Sequence, residues 1–192
     1  RPPGSRGREL TGYLTEAQTQ ALITAACQID KEFGLFFAFL ACTGARLGEA
    51  TIRLTCNNVD LNGKPPTAYI PQTKNGKPRT VYLPRFLTIA LANHPRGVCR
   101  GTERVFRFHP GGRLYNLLKQ ATKVAGVSLP KRQAFHILRH SWATNLRQGG
   151  MDMQGLVKTG AWADQRSASR YAHVLPGEVE SAIDKLPHWK LG

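Results

Sequence analysis

Four short segments of this 192-residue chain carry side chains suited to gripping an anion or moving a proton. The first is Thr43-Gly44-Ala45-Arg46-Leu47-Gly48-Glu49, a glycine turn that opens a helix. A guanidinium in a first helical turn gains nothing from the helix dipole. An anion bound there would meet both Arg46 and free backbone N–H groups. Glu49, three residues on, can hold Arg46 in one orientation, although a surface ion pair has the same spacing. The second segment is Asn75-Gly76 with Lys74 and Lys77 on either side, a hairpin tip from which a lysine could reach into a groove and give up a proton. The third, His136-Ile137-Leu138-Arg139-His140, sits in a helical pattern. It puts His136 and Arg139 on one face while Ile137 and Leu138 turn to the core. An imidazole titrating near neutrality would then stand beside a permanent bidentate phosphate clamp. His136 and His140 also have the HxxxH spacing of a zinc pair, but no Glu of HExxH and no third ligand accompany them. The fourth segment holds Trp162 and Tyr171. On one helix their nine-residue separation would point them apart, but Asp164 is a good N-cap that starts a new helix and frees Trp162 to approach Tyr171.

The elements that must position these groups follow from hydrophobic period and punctuation. Thr15 and Gln18 form a capping box ahead of a helical stripe at Ala17, Ala21, Leu22 and Ala25. A buried helix follows over 33–42 and stops at Gly44, and another runs from Arg46 to about Leu54. Val59, Leu61, Tyr69, Ile70, Val81 and Leu83 fall in short strands separated by Asn, Gly and Pro. Helical patterns return at 85–93, 112–125, 135–148, 152–159, 165–172 and 178–186. The expected fold class is mixed α+β, mostly helical, with one small antiparallel β-sheet. Residues 1–13 read as a flexible basic leader or linker, 14–176 as one domain, and 177–192 as a C-terminal tail, helical in part.

Composition narrows the partners. The formal charge of +15 is concentrated: residues 61–139 hold fifteen basic residues against the single acid Glu103, whereas residues 1–60 are balanced at six and six. Such a density repels itself unless a polyanion neutralises it, and nucleic acid is the partner that releases counterions on doing so. The apolar run from Leu35 to Cys42 is too short to span a bilayer and no signal peptide is present, so no membrane partner is expected. Cys27, Cys42, Cys56 and Cys99 have no CxxC spacing and are expected as reduced thiols in a cytosolic setting.

Taken together, the four segments resemble the catalytic domain of the tyrosine recombinases, also called phage integrases, from Leu14 to about Pro176. Arg46 falls on the family's first arginine and Glu49 on the acid that follows it. Lys74 falls on the lysine of its β-hairpin, and His136 with Arg139 on its HxxR motif. Trp162 falls where histidine is usual and tryptophan occurs in a minority, and Tyr171 falls on the nucleophile. The family's N-terminal DNA-clamping domain has no counterpart in these residues, so a truncated or catalytic-domain form is expected.

The resemblance implies attack by Tyr171 on a DNA phosphate, a 3′-phosphotyrosyl link and release of a 5′-hydroxyl, with no cofactor and no metal. Arg46 and Arg139 would hold the phosphate oxygens, with His136 as base and Lys74 as acid. Trp162 would be a single N–H donor without a titrating nitrogen. It implies double-stranded DNA as partner, four protomers in the exchange, and a cytoplasmic, nucleoid-associated setting in a bacterium or phage-infected host. It also implies docking of the tail (Val179, Ile183, Leu186) on a neighbouring protomer, where packing on its own domain is the plainer reading. Type IB topoisomerases carry SKxxY at the nucleophile, whereas Ser167-Ala168-Ser169-Arg170-Tyr171 has Ala168 in place of the lysine. A DNA-binding module without catalysis is the remaining alternative.

Overall fold

A computed structural model of the chain describes residues 12–73, 76–130, 134–172 and 186–192. Helix α1 (Glu16–Ile29) starts at the capping box, with Gln18 N donating to Thr15 Oγ1 at 3.1 Å and Thr15 N to Gln18 Oε1 at 2.9 Å. Asp30 both ends α1 and caps α2 (Lys31–Thr43), accepting from Phe33 N at 2.9 Å. Phe33, Phe36, Phe37, Phe39 and Leu40 of α2 are wholly enclosed, each contributing about 1.5–3 kcal/mol by burial. Their rings meet Phe106, Phe108 and Phe135 edge-on or tilted, with centroids 5.2 Å apart for Phe36–Phe106 and 6.2 Å for Phe36–Phe135. Phe135 immediately precedes the HxxR helix, so this aromatic core fixes where that helix begins.

The chain leaves α2 through Gly44, whose φ of +61° lies in the left-handed region. A side chain there would also collide, because an added Cβ would stand 2.1 Å from Trp142 Cε3. The 44–46 turn can therefore lie flat against α5 (His136–Gln148) only with glycine at its head. A wide π turn at Glu49–Arg53 follows. Strands β1 (Val59–Asp60), β2 (Thr67–Ile70) and β3 (Arg79–Tyr82) form one antiparallel sheet in that order, with Ala68 opposite Val81 and Ile70 opposite Arg79. The β2–β3 turn closes with Gly76 N donating to Thr73 O at 2.9 Å, and Gly76 takes φ +74°. Helices α3 (Arg85–Ala92), α4 (Gly112–Ala125), α6 (Met153–Lys158) and α7 (Gln165–Ala168) complete the set. The expected helix at 165–172 tightens after Ala168 into a 3₁₀ turn, Ser169–Tyr171. The architecture is mostly helical with one small sheet, as expected. Among the described residues no helix is long and apolar enough to cross a membrane.

The thiol expectation is corrected for two cysteines: Cys56 and Cys99 form a disulfide. The segment around Cys56 pairs with 101–105, with Cys56 N donating to Glu103 O and Asn57 N to Gly101 O, both at 2.8 Å. That pairing brings the two Cα atoms to 5.5 Å across 43 residues of sequence. Spacing along the chain holds no trace of it. Cys27 and Cys42 are free, and burial pushes both thiols up. The expected tail helix lies largely outside the described residues. Leu186 and Trp189 are buried against this chain's own domain, and Lys190 exchanges two hydrogen bonds with Gln20 of α1.

Candidate active site

Four stretches that are distant in sequence meet at the N-terminal end of α5. Glu49, 4% exposed, is the hub of the first. Its carboxylate accepts from Arg46 N at 2.9 Å and Arg46 Nη1 at 3.1 Å, fixing the arginine at the mouth of the turn. It also accepts from Arg79 Nη2 at 3.2 Å. Arg79 is buried beneath the site, its Nε without a partner among the described residues and its other nitrogens 3.5 Å from Thr43 O. A single carboxylate thus serves two guanidinium groups, which leaves the cleft net positive. Burial lowers the Arg79 pKa, offset in part by Glu49.

Arg139 is almost fully buried. Its Nη1 donates to Gly44 O at 2.6 Å and its Nη2 to Ala161 O, so two backbone carbonyls aim the fork. Its guanidinium lies 4.8 Å from the centre of the Trp162 ring. Burial first, then Arg46 and Arg79, lower its pKa. An arginine keeps its proton regardless. That crowding of cations is a field awaiting an anion.

Trp162 stacks on Trp142 at 5.9 Å and meets the Tyr171 ring edge-on at 5.3 Å. Asp164 accepts from Ser167 N at 2.7 Å, so the new helix starts there and turns the tyrosine back to the tryptophan. Tyr171 is 4% exposed, and its hydroxyl is hydrogen-bonded to His140 Nδ1. Desolvation pushes the phenol up to about 12, against the pull of Arg170 and Arg139. Desolvation, then His136, Arg170 and Arg139, pull His140 down to about 4. The imidazole is therefore neutral at pH 7 and the phenol keeps its proton.

A cleft of about 530 Å³ opens over these groups, lined by Arg46, His136, Arg139, His140, Trp162 and Arg170 among others. The ring of His136 stands 4.7 Å from that of His140. Lys74 and Asn75 lie outside the described residues. Among the described residues no group of three or more His, Cys, Asp or Glu gathers in a metal-holding arrangement.

The sequence profile of the phage integrase family matches residues 12–178. The chain belongs to that family. The integrase of Escherichia phage P2 is 30% identical over 177 residues, which cover 92% of this chain and 47% of that integrase. The chain therefore spans about half the length of that relative. The catalytic domain of bacteriophage HP1 integrase superposes with a TM-score of 0.69 at 26% identity, covering 90% of this chain and 93% of that domain. The XerH recombinase bound to a palindromic difH substrate in a post-cleavage complex shares the fold, with a TM-score of 0.66 at 20% identity over 89% of this chain and 52% of that one. In this phage integrase domain Arg46, His136, Arg139 and Trp162 of the sequence reading line one cleft, with Glu49 bonded to Arg46 and the Tyr171 hydroxyl bonded to His140 behind it.

Arg79, His140 and Arg170 join these groups at the site. Arg79 shares a strand face with Val81, and a cation on an apolar face demands a buried acid, which was a readable signal. The HxxxH spacing marks His140 only as half of a zinc pair, and its bond to the Tyr171 hydroxyl depends on chain 31 residues away. Arg170 adds charge at the cleft rim.

The depressed basicity of His140 has a consequence for stability. Below pH 6.5 the unfolded chain takes a proton that the folded chain refuses until about pH 4, so stability falls across that window. His94, also pulled down by burial, adds in the same direction. The urea midpoint is expected to drop between pH 7.5 and pH 5, and His140→Gln to lessen that drop. An unchanged drop in the variant would contradict the assignment.

Proposed function

We propose that the domain is the catalytic part of a site-specific DNA recombinase that cleaves and rejoins double-stranded DNA through a 3′-phosphotyrosyl intermediate. The Tyr171 hydroxyl attacks phosphorus, the bond to the 5′-oxygen breaks, and Lys74 supplies the proton that lets that oxygen leave as a hydroxyl. Arg46 and Arg139 grip the non-bridging oxygens and stabilise charge that grows in the transition state. Trp162 packs the site and offers one N–H. An imidazole takes the phenolic proton. His136 is the assignment by motif, and His140 already touches that hydroxyl. A phosphate entering the cleft raises the proton affinity of the His140 ring by simple attraction, while Arg139 and Arg170 favour the phenolate.

The observation that carries this reading is a single cleft lined by Arg46, His136, Arg139 and Trp162 with the Tyr171 hydroxyl one hydrogen bond behind it. The phosphodiester energy passes into the tyrosyl link, so the cycle requires neither nucleotide nor metal. Exchange between two duplexes takes four copies of the chain, on phage or bacterial DNA in the cytoplasm. On a duplex nicked next to the scissile phosphate the cleaved fragment escapes, and the protein is expected to accumulate as a covalent adduct in the presence of EDTA. DNA binding with no adduct on the cognate site would favour a binding module, and relaxation of supercoiled plasmid without strand exchange would favour the topoisomerase alternative.

A further inference from the structure

Arg147, in the last turn of α5, is 4% exposed and forms no direct ion pair among the described residues, the Asp152 carboxylate acting on it only through space. Its three nitrogens all turn to backbone: Nε donates to Tyr171 O at 3.2 Å, Nη1 to Met151 O at 2.7 Å and Nη2 to Ala172 O at 3.5 Å. The helix C-terminus favours a cation at this place. It does not account for the choice of partners. A buried charge is costly, and a Leu or Met would fill the space at lower cost. The guanidinium fork instead ties two separate segments to the helix, and one of them is the main chain at the candidate nucleophile.

The other end of the same tyrosine is held by the same helix. Its carbonyl is bonded to Arg147 and its hydroxyl to His140, seven residues earlier on α5, a rise of about 10 Å. Arg139, the phosphate clamp, lies between that tether and the N-terminus of α5. We propose that Arg147 is a positioning residue that anchors the Tyr171 backbone to α5, so that phosphate clamp and nucleophile share one rigid ruler. The phenol swings about this fixed point when it leaves His140 for the phosphorus. The proposal rests on Tyr171 being the nucleophile.

Single-turnover cleavage of the nicked duplex separates positioning from folding. The rate constant reports geometry, whereas the amplitude reports the fraction of protein that is folded. Arg147→Met is expected to slow adduct formation by about 100-fold at unchanged DNA affinity, the scale of a misplaced reacting group. A duplex with sulfur at the 5′-bridging position, whose leaving group needs no proton, should not restore the rate. Arg147→Lys keeps the charge without the fork, and an intermediate rate constant is expected. A rate constant equal to the parent's in both variants, with only amplitude or melting temperature reduced, would overturn the proposal, as would full recovery on the sulfur substrate. A parent that forms no adduct overturns the nucleophile reading itself, and this proposal with it.

Discussion

Tyr171→Phe is expected to leave no detectable adduct on the nicked duplex while DNA affinity stays within a few-fold of the parent. Phenylalanine keeps the ring that packs edge-on against Trp162 and removes only the oxygen bonded to His140. The structural cost is confined to a His140 nitrogen left without its partner in a buried place, about 1–3 kcal/mol. Circular dichroism and a binding titration on the same preparation confirm that the variant is folded and bound. Adduct surviving in the Phe variant would mean that another hydroxyl attacks and that the His140 contact is packing alone.

Arg139→Met is expected to cut the cleavage rate constant by about 10²–10³-fold, roughly 3–4 kcal/mol of transition-state stabilisation. The reasoning is electrostatic. Arg139 sits deep, aimed by Gly44 O and Ala161 O and faced by the Trp162 ring, where its charge is little screened. Arg139→Lys should recover only part of the rate. A single ammonium cannot reach both carbonyls and still offer two parallel donors to a phosphate. Both variants also strip donors from buried carbonyls, so melting temperatures should fall, and single-turnover rate constants are the proper measure. Cleavage within tenfold of the parent in Arg139→Met would contradict a role at the phosphate.

The two effects share one physical picture. In the free protein the cleft is a cage of cations around a single buried carboxylate, with a protonated phenol held by a neutral imidazole. Proton affinities of about 12 and about 4 keep that pair inert. In the proposed reaction the substrate's own charge changes it, since an anion beside His140 makes that ring a better base and relieves the repulsion between Arg46 and Arg139. Tyr171 is then activated, in that reaction, only where a phosphate is already gripped.

The signals legible in the sequence are the local ones. The Thr15–Gln18 box, the Gly44 stop, the Arg46–Glu49 pair and the Asp164 cap each involve residues within four positions, where backbone geometry dictates who meets whom. The Asp164 cap even carried a tertiary consequence, the meeting of Trp162 with Tyr171. What stayed hidden depends on pairing across the fold. Cys56 and Cys99 are joined through a strand-like register between remote segments. Two histidines one turn apart on α5 are equivalent by spacing, and only the path of a chain 31 residues further on selects His140 for the phenol. Arg147 reads as an ordinary basic residue in a last helical turn, and nothing along the chain says that its partners are the carbonyls of Met151, Tyr171 and Ala172.

The proposed cycle depends on one covalent bond, from the Tyr171 oxygen to a DNA phosphorus. Proteolysis of the trapped adduct, followed by mass spectrometry of the DNA-linked peptide and end analysis of the released strand, measures it directly. A 3′-phosphate esterified to Tyr171, with a free 5′-hydroxyl on the departing fragment, is the predicted result. A link through any other residue, or a 5′-phosphate on the tyrosine, would contradict it.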